Sequence, residues 1–266
     1  MNPSRNWECA RPPRLSGSRR RAGNAENKKM SSLKARDVQK RMKNLGNKEH
    51  AAVSRRFFKT GPGEYGEGDI FIGIRVPVLR KLASEFKDLP VSEIKILLRS
   101  PIHEERLLAM LLFVHTFKKG DGDTKKNIYG LYLESTEFIN NWDLVDTSAE
   151  HIVGAYLLDK NKRPLYRLAK SKNLWNRRTA IMATFHFVKR QQFSETLKIS
   201  HMLLFDRQDL IHKATGWMLR EIGKRDLRTE ETFLKEHYKK MPRTMLRYAI
   251  EKFPEKKRQR YLKGSI

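Results

Sequence analysis

The stretch "NRRTAIMATFHFVKR", residues 176–190, decides how the rest of the chain is read. Its apolar residues recur at steps of three and four, so they share one face of an α-helix. The same spacing runs through "ERLLAMLLFVHTF" at 105–117 and "IHKATGWMLREIGKR" at 211–225. Short breaks, "KDLPVS", "KKGDGD", "DKNKRP" and "KKMPR", separate such segments. No segment shows a convincing alternation of apolar and polar residues of the kind a half-buried strand needs. The expectation is an all-α protein whose neighbouring segments pair as helical hairpins.

The helices also repeat. A basic residue followed closely by small and apolar ones recurs at Arg106, Arg178, Lys213 and Arg247. The last three are spaced by 35 and 34 residues, and Arg106 precedes Arg178 by 72, two steps of 36. A period of this size marks an α-solenoid, in which each two-helix unit buries its apolar face only by stacking on the next. The tetratricopeptide consensus is not visible, so HEAT-like hairpins describe the pattern better. Chance recurrence in a basic helical chain is the alternative that four positions leave open. Stacked units would line up their basic positions along a concave groove suited to phosphates.

Charge says what such a groove would hold. The 266 residues carry a formal net charge of +26, with a pI near 10.2. An excess this large points to a polyanionic partner, nucleic acid ahead of a membrane surface. A hydrophobic content of 39% is enough for a real core and too high for wholesale disorder. The longest charge-free apolar stretch, "LLAMLLFVHTF" at 107–117, is far shorter than the roughly 20 residues a bilayer requires, so no membrane span is expected. No apolar h-region follows the first residues, so no secretory signal is expected. Cys9 is the only cysteine, which excludes an internal disulfide and a Cys-rich zinc site and fits a reducing, intracellular compartment. The eight histidines offer no HExxH pair or other metal spacing, so neither a metal nor another cofactor is expected. Residues 1–36 hold ten Lys and Arg against Glu8 and Glu26, with Pro12, Pro13, Gly17 and Gly23 and few apolar groups. They read as a disordered basic arm ahead of a folded domain over 37–266. The arm could touch DNA, act as a targeting segment, or precede a true start at Met30.

One stretch departs from the basic pattern. "NWDLVD", residues 141–146, packs a tryptophan and two carboxylates into six residues. Trp142 lies 36 residues past Arg106, in the slot where the repeat would otherwise put positive charge. Asp146 follows Trp142 by one turn, so both side chains point from one helix face. A carboxylate there lowers affinity for a polyanion, and it makes more sense if it meets a positive charge on the ligand. Asp143 fits a plainer role, a carboxylate at the start of a helix where the macrodipole favours it. For Asp146 the residues alone leave the two readings open.

"WDLVD", "LWNRRTAI" at 174–181 and "HKATGWMLRE" at 212–221, with "FIGIRVPVLRKL" upstream at 71–82, resemble the AlkD-like family of alkylpurine DNA glycosylases. The likeness runs from about residue 37 to the end, with four short motifs in the same order and similar spacing. It implies a HEAT-like solenoid that holds duplex DNA in its concave groove. The implied reaction is hydrolysis of the N-glycosidic bond of cationic N3- or N7-alkylated purines. It also implies a catalytic aspartate at Asp146, aromatic cleft residues at Trp142 and Trp217, and a cleft arginine at Arg178 that meets the DNA backbone. Contacts would be made to the backbone with the lesion left near the stack. Two positions depart from the family pattern: Asn141 stands where a second tryptophan is usual, and His186 where a basic residue is.

The chemistry is reasonable on its own terms. An alkylated purine is already cationic and leaves readily. A carboxylate near the anomeric carbon stabilises the oxocarbenium charge that develops and can orient the attacking water. Tryptophan faces add cation–π attraction of roughly 0.5 to 2 kcal/mol each. An arginine suits a bidentate phosphate contact. No lysine stands in a clear Schiff-base setting, so hydrolysis without strand cleavage is expected.

Other candidates carry less. "GPGEYG" at 61–66 matches a dinucleotide fingerprint, but no strand precedes it and Glu64 and Glu67 would repel a pyrophosphate, so a flexible interhelical turn is expected. Trp175, with Leu174 and Phe185, reads as a core anchor. Trp217 would read the same way without the resemblance. Lys213, and less so Arg220, could meet phosphates. The combined expectation is a monomeric, intracellular, monofunctional DNA repair glycosylase acting on alkylated purines in double-stranded DNA, cytoplasmic and nucleoid-associated if bacterial. The rival is a non-catalytic HEAT-like scaffold that binds DNA or RNA, which explains the charge and the repeats but not Asp146 among Trp142, Trp217 and Arg178.

Overall fold

The computed structural model describes residues 33–266. Most of the expected basic arm, with Met30 and Cys9, therefore lies outside the described residues. The first helix starts at Ala35, and Ala35, Val38 and Met42 are buried, so the folded unit begins slightly before residue 37. Among the described residues the fold is all-α, and the only β feature is an isolated bridge between Ile70 and Ile102.

The helices are α1 (Ala35–Lys43), α2 (Lys48–Phe57), α3 (Val76–Glu85), α4 (Val91–Leu98), α5 (His103–Lys119), α6 (Gly122–Glu134), α7 (Trp142–Ser148), α8 (Ala155–Leu157), α9 (Arg163–Ala169), α10 (Leu174–Ala183), α11 (Phe185–Val188), α12 (Ser194–Met202), α13 (Asp209–Gly223), α14 (Leu227–His237), α15 (Arg243–Ala249) and α16 (Glu255–Lys263). Local sequence sets their starts. Asn47, Asp121, Asn173 and Asp226 cap α2, α6, α10 and α14 by accepting backbone N–H groups of the first turn. Pro90, Pro242 and Pro254 stand at the N-caps of α4, α15 and α16.

Packing places the helices in two rows. α3, α5, α7, α10, α13 and α15 contact one another in that order. A second set, α4, α6, α9, α12 and α14, packs against them. This is compatible with the expected solenoid of hairpins. Arg106, Trp142, Arg178, Lys213 and Arg247 fall one each on α5, α7, α10, α13 and α15, so the period found in the sequence counts helices of the first row. One apolar core runs from Ala35 to Met218 and a second from Leu204 to Tyr261.

α7 carries the candidate chemistry, and three devices fix it. It runs into a π-helical turn over Glu150–Gly154, where the Gly154 N–H bonds Ala149 O at 2.9 Å. A Cβ at residue 154 would lie 2.1 Å from Ala183 O of α10, so only glycine permits this approach. The segment before α3 is held by Glu104, whose buried carboxylate accepts the N–H groups of Ile72, Gly73 and Ile74. Gly73 has φ +82, and a Cβ there would meet Asn47 O at 2.0 Å.

The third device is a buried charge cluster. His103 donates from Nδ1 to Asp69 (3.0 Å) and from Nε2 to Asp143 (2.8 Å). Arg106 pairs with the other oxygen of Asp69 and donates to Ser100 O at 2.9 Å. Asn141 donates to Asp69 as well, at 3.2 Å. Two expectations are corrected here. Arg106 is 4% exposed and committed to Asp69, so it is no phosphate contact. Asp143 does stand in the first turn of α7, but it is buried and paired with His103 and so does more than favour a helix dipole.

The cluster predicts a pH dependence of stability. Burial alone would lower the His103 pKa, but the carboxylates of Asp143 and Asp69 outweigh it and raise it from 6.5 to about 9. A pKa raised on folding stabilises fully below about 6.5, and that contribution fades as pH rises through about 9. Its size is on the order of 3 kcal/mol. Urea unfolding at pH 6, 7.5 and 9 should show wild type losing stability over this window. His103→Gln should be less stable at pH 6 and flatter with pH; equal pH slopes for the two proteins would contradict the assignment.

Candidate active site

A cleft of about 460 Å³ opens beside the start of α7. Trp142 and Trp217 both line it, with Tyr65, Lys59 and Lys213 around them and Arg178 at its base. The residues nominated from the sequence on α7, α10 and α13 are thus brought together.

Trp142 stands at the edge of an aromatic cluster in which the Phe58 and His103 rings also meet, at 4.9 Å. Phe58 stacks on it at 5.1 Å and 15°, Phe71 stacks on Phe58 at 5.0 Å, and the His103 ring stacks on Phe71 at 4.5 Å. The buried charge cluster therefore touches, through His103, the ring on which Trp142 stacks as well as the helix start. Tyr65, also on the cleft, meets Trp175 edge to face at 6.0 Å. Trp217 is partly buried, donates to Glu221 at 3.3 Å and lies 6.1 Å from Phe185. Trp175 is buried, while Leu174 and Phe185 pack partly buried against the core, in keeping with their reading as anchors.

Asp146 sits one turn along α7 from Trp142. Arg178 holds it in a two-pronged fork, Nε to Oδ1 at 2.8 Å and NH2 to Oδ2 at 2.7 Å. The third guanidinium nitrogen donates to Leu210 O. The Arg178 side chain is only 6% exposed, against 18% for Asp146. Arg178, expected to meet the DNA backbone, lines the cleft and also orients the Asp146 carboxylate inside the protein. Burial raises the pKa of Asp146, while Arg178 pulls it back down. A carboxylate in this setting has fixed oxygens and little water around it, which strengthens its field on any cation placed above it.

The remaining nominated cations differ. Lys213 lines the cleft and pairs with Asp209 at 2.7 Å, which raises its pKa. Arg247 is exposed on α15, beside Tyr248, which borders the cleft. Arg220 pairs with Glu251. His186 adds no charge near neutrality, because burial, helped by Arg190, lowers its pKa to about 4.

One wall was not foreseen. Phe57, Phe58, Lys59 and Tyr65 come from the end of α2 and the loop after it. The loop is braced, not a flexible turn. Glu64 accepts the Gly61 N–H at 2.8 Å, Glu67 accepts that of Gly63 at 2.9 Å, and Gly66 N–H closes onto Lys59 O at 3.0 Å. Lys59 has φ +52, a left-handed conformation that costs a non-glycine residue roughly 1 kcal/mol or more. The only available signal was the aromatic pair "FF" at 57–58 beside two basic residues. Among the described residues no group of three His, Cys, Asp or Glu could hold a metal ion, and no helix is long and apolar enough to cross a membrane.

Comparison with known proteins gives this geometry a family. A solved structure of a "Predicted DNA alkylation repair enzyme from Enterococcus faecalis" is similar in fold, with a TM-score of 0.62 at 19% identity over 79% of this chain and 98% of that one. No curated protein matches the chain. The family model described as DNA alkylation repair enzyme matches residues 38–253, which include the cleft and both rows of helices, and the chain belongs to that family.

Proposed function

We propose that this family member is a DNA glycosylase that hydrolyses the N-glycosidic bond of cationic N3- or N7-alkylated purines in duplex DNA. The observation that carries the reading is the Asp146 carboxylate, held in a fork by Arg178, which itself lines one cleft with Trp142 and Trp217. A neutral ligand gains little from that arrangement. A sugar acquiring oxocarbenium character gains from the carboxylate and from both indole faces. The leaving purine is positively charged before the bond breaks, so it departs without a general acid. Asp146 also orients the water that attacks the anomeric carbon.

Each remaining group has a place in this scheme. Arg178 keeps Asp146 ionised and aimed, so that it acts through the carboxylate and not through phosphate. Lys59, Lys213 and Arg247 border the cleft or its edge and take the DNA backbone, leaving the lesion near the stack. Phe57 and Phe58 hold Trp142 in orientation. On this reading the protein acts as a HEAT-like monomer inside the cell, without metal or organic cofactor, and leaves the strand intact at the abasic site.

Incubation with duplexes bearing N3-methyladenine or N7-methylguanine should release free base. No release from either by well-folded protein would favour a non-catalytic DNA- or RNA-binding scaffold. Asp146→Asn keeps the shape and removes the charge, so single-turnover excision should drop on the order of 10²- to 10³-fold. Affinity for undamaged duplex should hold, because no phosphate contact is removed.

Acid should silence the wild-type enzyme in a defined direction. Excision requires ionised Asp146, so the rate falls as pH drops through its pKa. Burial raises that pKa above 3.8, and the loss should begin at higher pH than for an exposed aspartate. Arg178→Ala removes the opposing pull and should move this acid limb further up in pH, with little loss of duplex affinity. If the limb stayed in place while binding collapsed, Arg178 would be a phosphate ligand after all.

A further inference from the structure

A second cleft lies in the other row of helices. It encloses about 610 Å³ between α6, α8 and α9. Lys160, Arg163, Arg167 and Lys170 line it together with Tyr129 and Tyr156, and no carboxylate does. Among the described residues none of these four cations is in an ion pair. All four are exposed. The active-site cleft is poorer in free charge, since Arg178 and Lys213 are paired with Asp146 and Asp209.

The helix explains the arrangement. Leu165 and Ala169 are the buried face of α9, which packs on α10. Arg163, Arg167 and Lys170 fall at i, i+4 and i+7, a single stripe with cations roughly 5 to 6 Å apart along the axis. The stripe belongs to the row away from Asp146, so a ligand here does not compete for the active site.

The aromatic groups say what kind of polyanion fits. Tyr129 and Tyr156 stack at 4.1 Å and 17°, and the Lys160 ammonium lies 5.0 Å from the Tyr156 ring centre. Tyr166, on the same cleft, gives its hydroxyl to Glu195. We propose that this cleft binds single-stranded nucleic acid, with phosphates along the Arg163–Arg167–Lys170 stripe and a base on the tyrosine pair. A base entering at Tyr156 replaces a flexible, hydrated ammonium, which then pairs with the adjoining phosphate. Flat aromatic surface beside cations is the combination used to hold unpaired bases without regard to sequence. An acidic peptide would use the cations and leave the tyrosines idle.

The test uses the full chain and fluorescein-labelled dT15, followed by anisotropy in the presence of saturating undamaged duplex. The oligonucleotide should still bind, giving a ternary complex. Arg163→Glu with Arg167→Glu should abolish that binding, while Tyr156→Ala weakens it roughly tenfold or more. An oligonucleotide of the same length with abasic residues should bind wild type more weakly, a readout that needs no variant. Excision of methylated purines should be unchanged in every variant, which separates this site from the glycosylase reading. Full displacement by duplex, or equal binding by the charge-reversed protein, would overturn the proposal. So would effective competition by poly-glutamate combined with indifference to Tyr156→Ala and to abasic residues, which would mark a generic anion surface.

Discussion

Two carboxylates and two cations, taken out of water together, hold the first half of the molecule in place. Asp69, His103, Arg106 and Asp143 come from three separate pieces of chain and are each less than 9% exposed. Any one of them alone would be prohibitively costly at that depth, since removing a single partner from a buried pair typically costs 3 to 5 kcal/mol. Together their formal charges cancel, and hydrogen bonds from Asn141 and to Ser100 O add to the network, leaving Arg106 Nε without a partner. Asp69 and His103 stand on either side of the Ile70–Ile102 bridge, and Asp143 opens α7. The cluster therefore fixes the angle at which α7 leaves the loop, and with it the height of Trp142 above Phe58 and Phe71.

The same logic reappears at Asp146. It too is a carboxylate under a helix row, and it too is held by a guanidinium from the next helix, but its side chain retains 18% exposure. The two sites share chemistry and differ in access. Asp69 and Asp143 are less exposed and work as struts. Asp146 is oriented just as firmly, and the arginine that holds it lines the cleft between the tryptophans.

Much of this was legible because it is periodic. The spacing of Arg106, Trp142, Arg178, Lys213 and Arg247 counts successive helices, and periodicity is a property of the sequence itself. So is the pairing of Trp142 and Asp146 on one face, which follows from a four-residue step. What each charge does was less legible. Arg106 meets a carboxylate 37 residues before it, and Arg178 meets one 32 residues before it. Residue type says that an arginine wants an anion, and only the fold says whether that anion is phosphate or aspartate. The Phe57–Tyr65 wall escaped for a related reason: its glycines suggested looseness, while Glu64 and Glu67 tie the loop by local bonds that no periodic pattern announces.

The π-helical turn after α7 has a bearing on how the molecule tolerates insertions. A π turn holds one residue more than an α turn, so everything beyond it is rotated by roughly 100° relative to an unbroken helix. Trp142 and Asp146 lie before that offset, and Gly154, pressed against Ala183 O, lies at its end. The extra residue acts as a phase shifter: it lets one continuous segment satisfy two neighbours whose preferred registers disagree. Shortening the segment by one would restore ideal helix geometry and set the two ends in conflict, turning either the acid away from its cleft or the glycine away from α10.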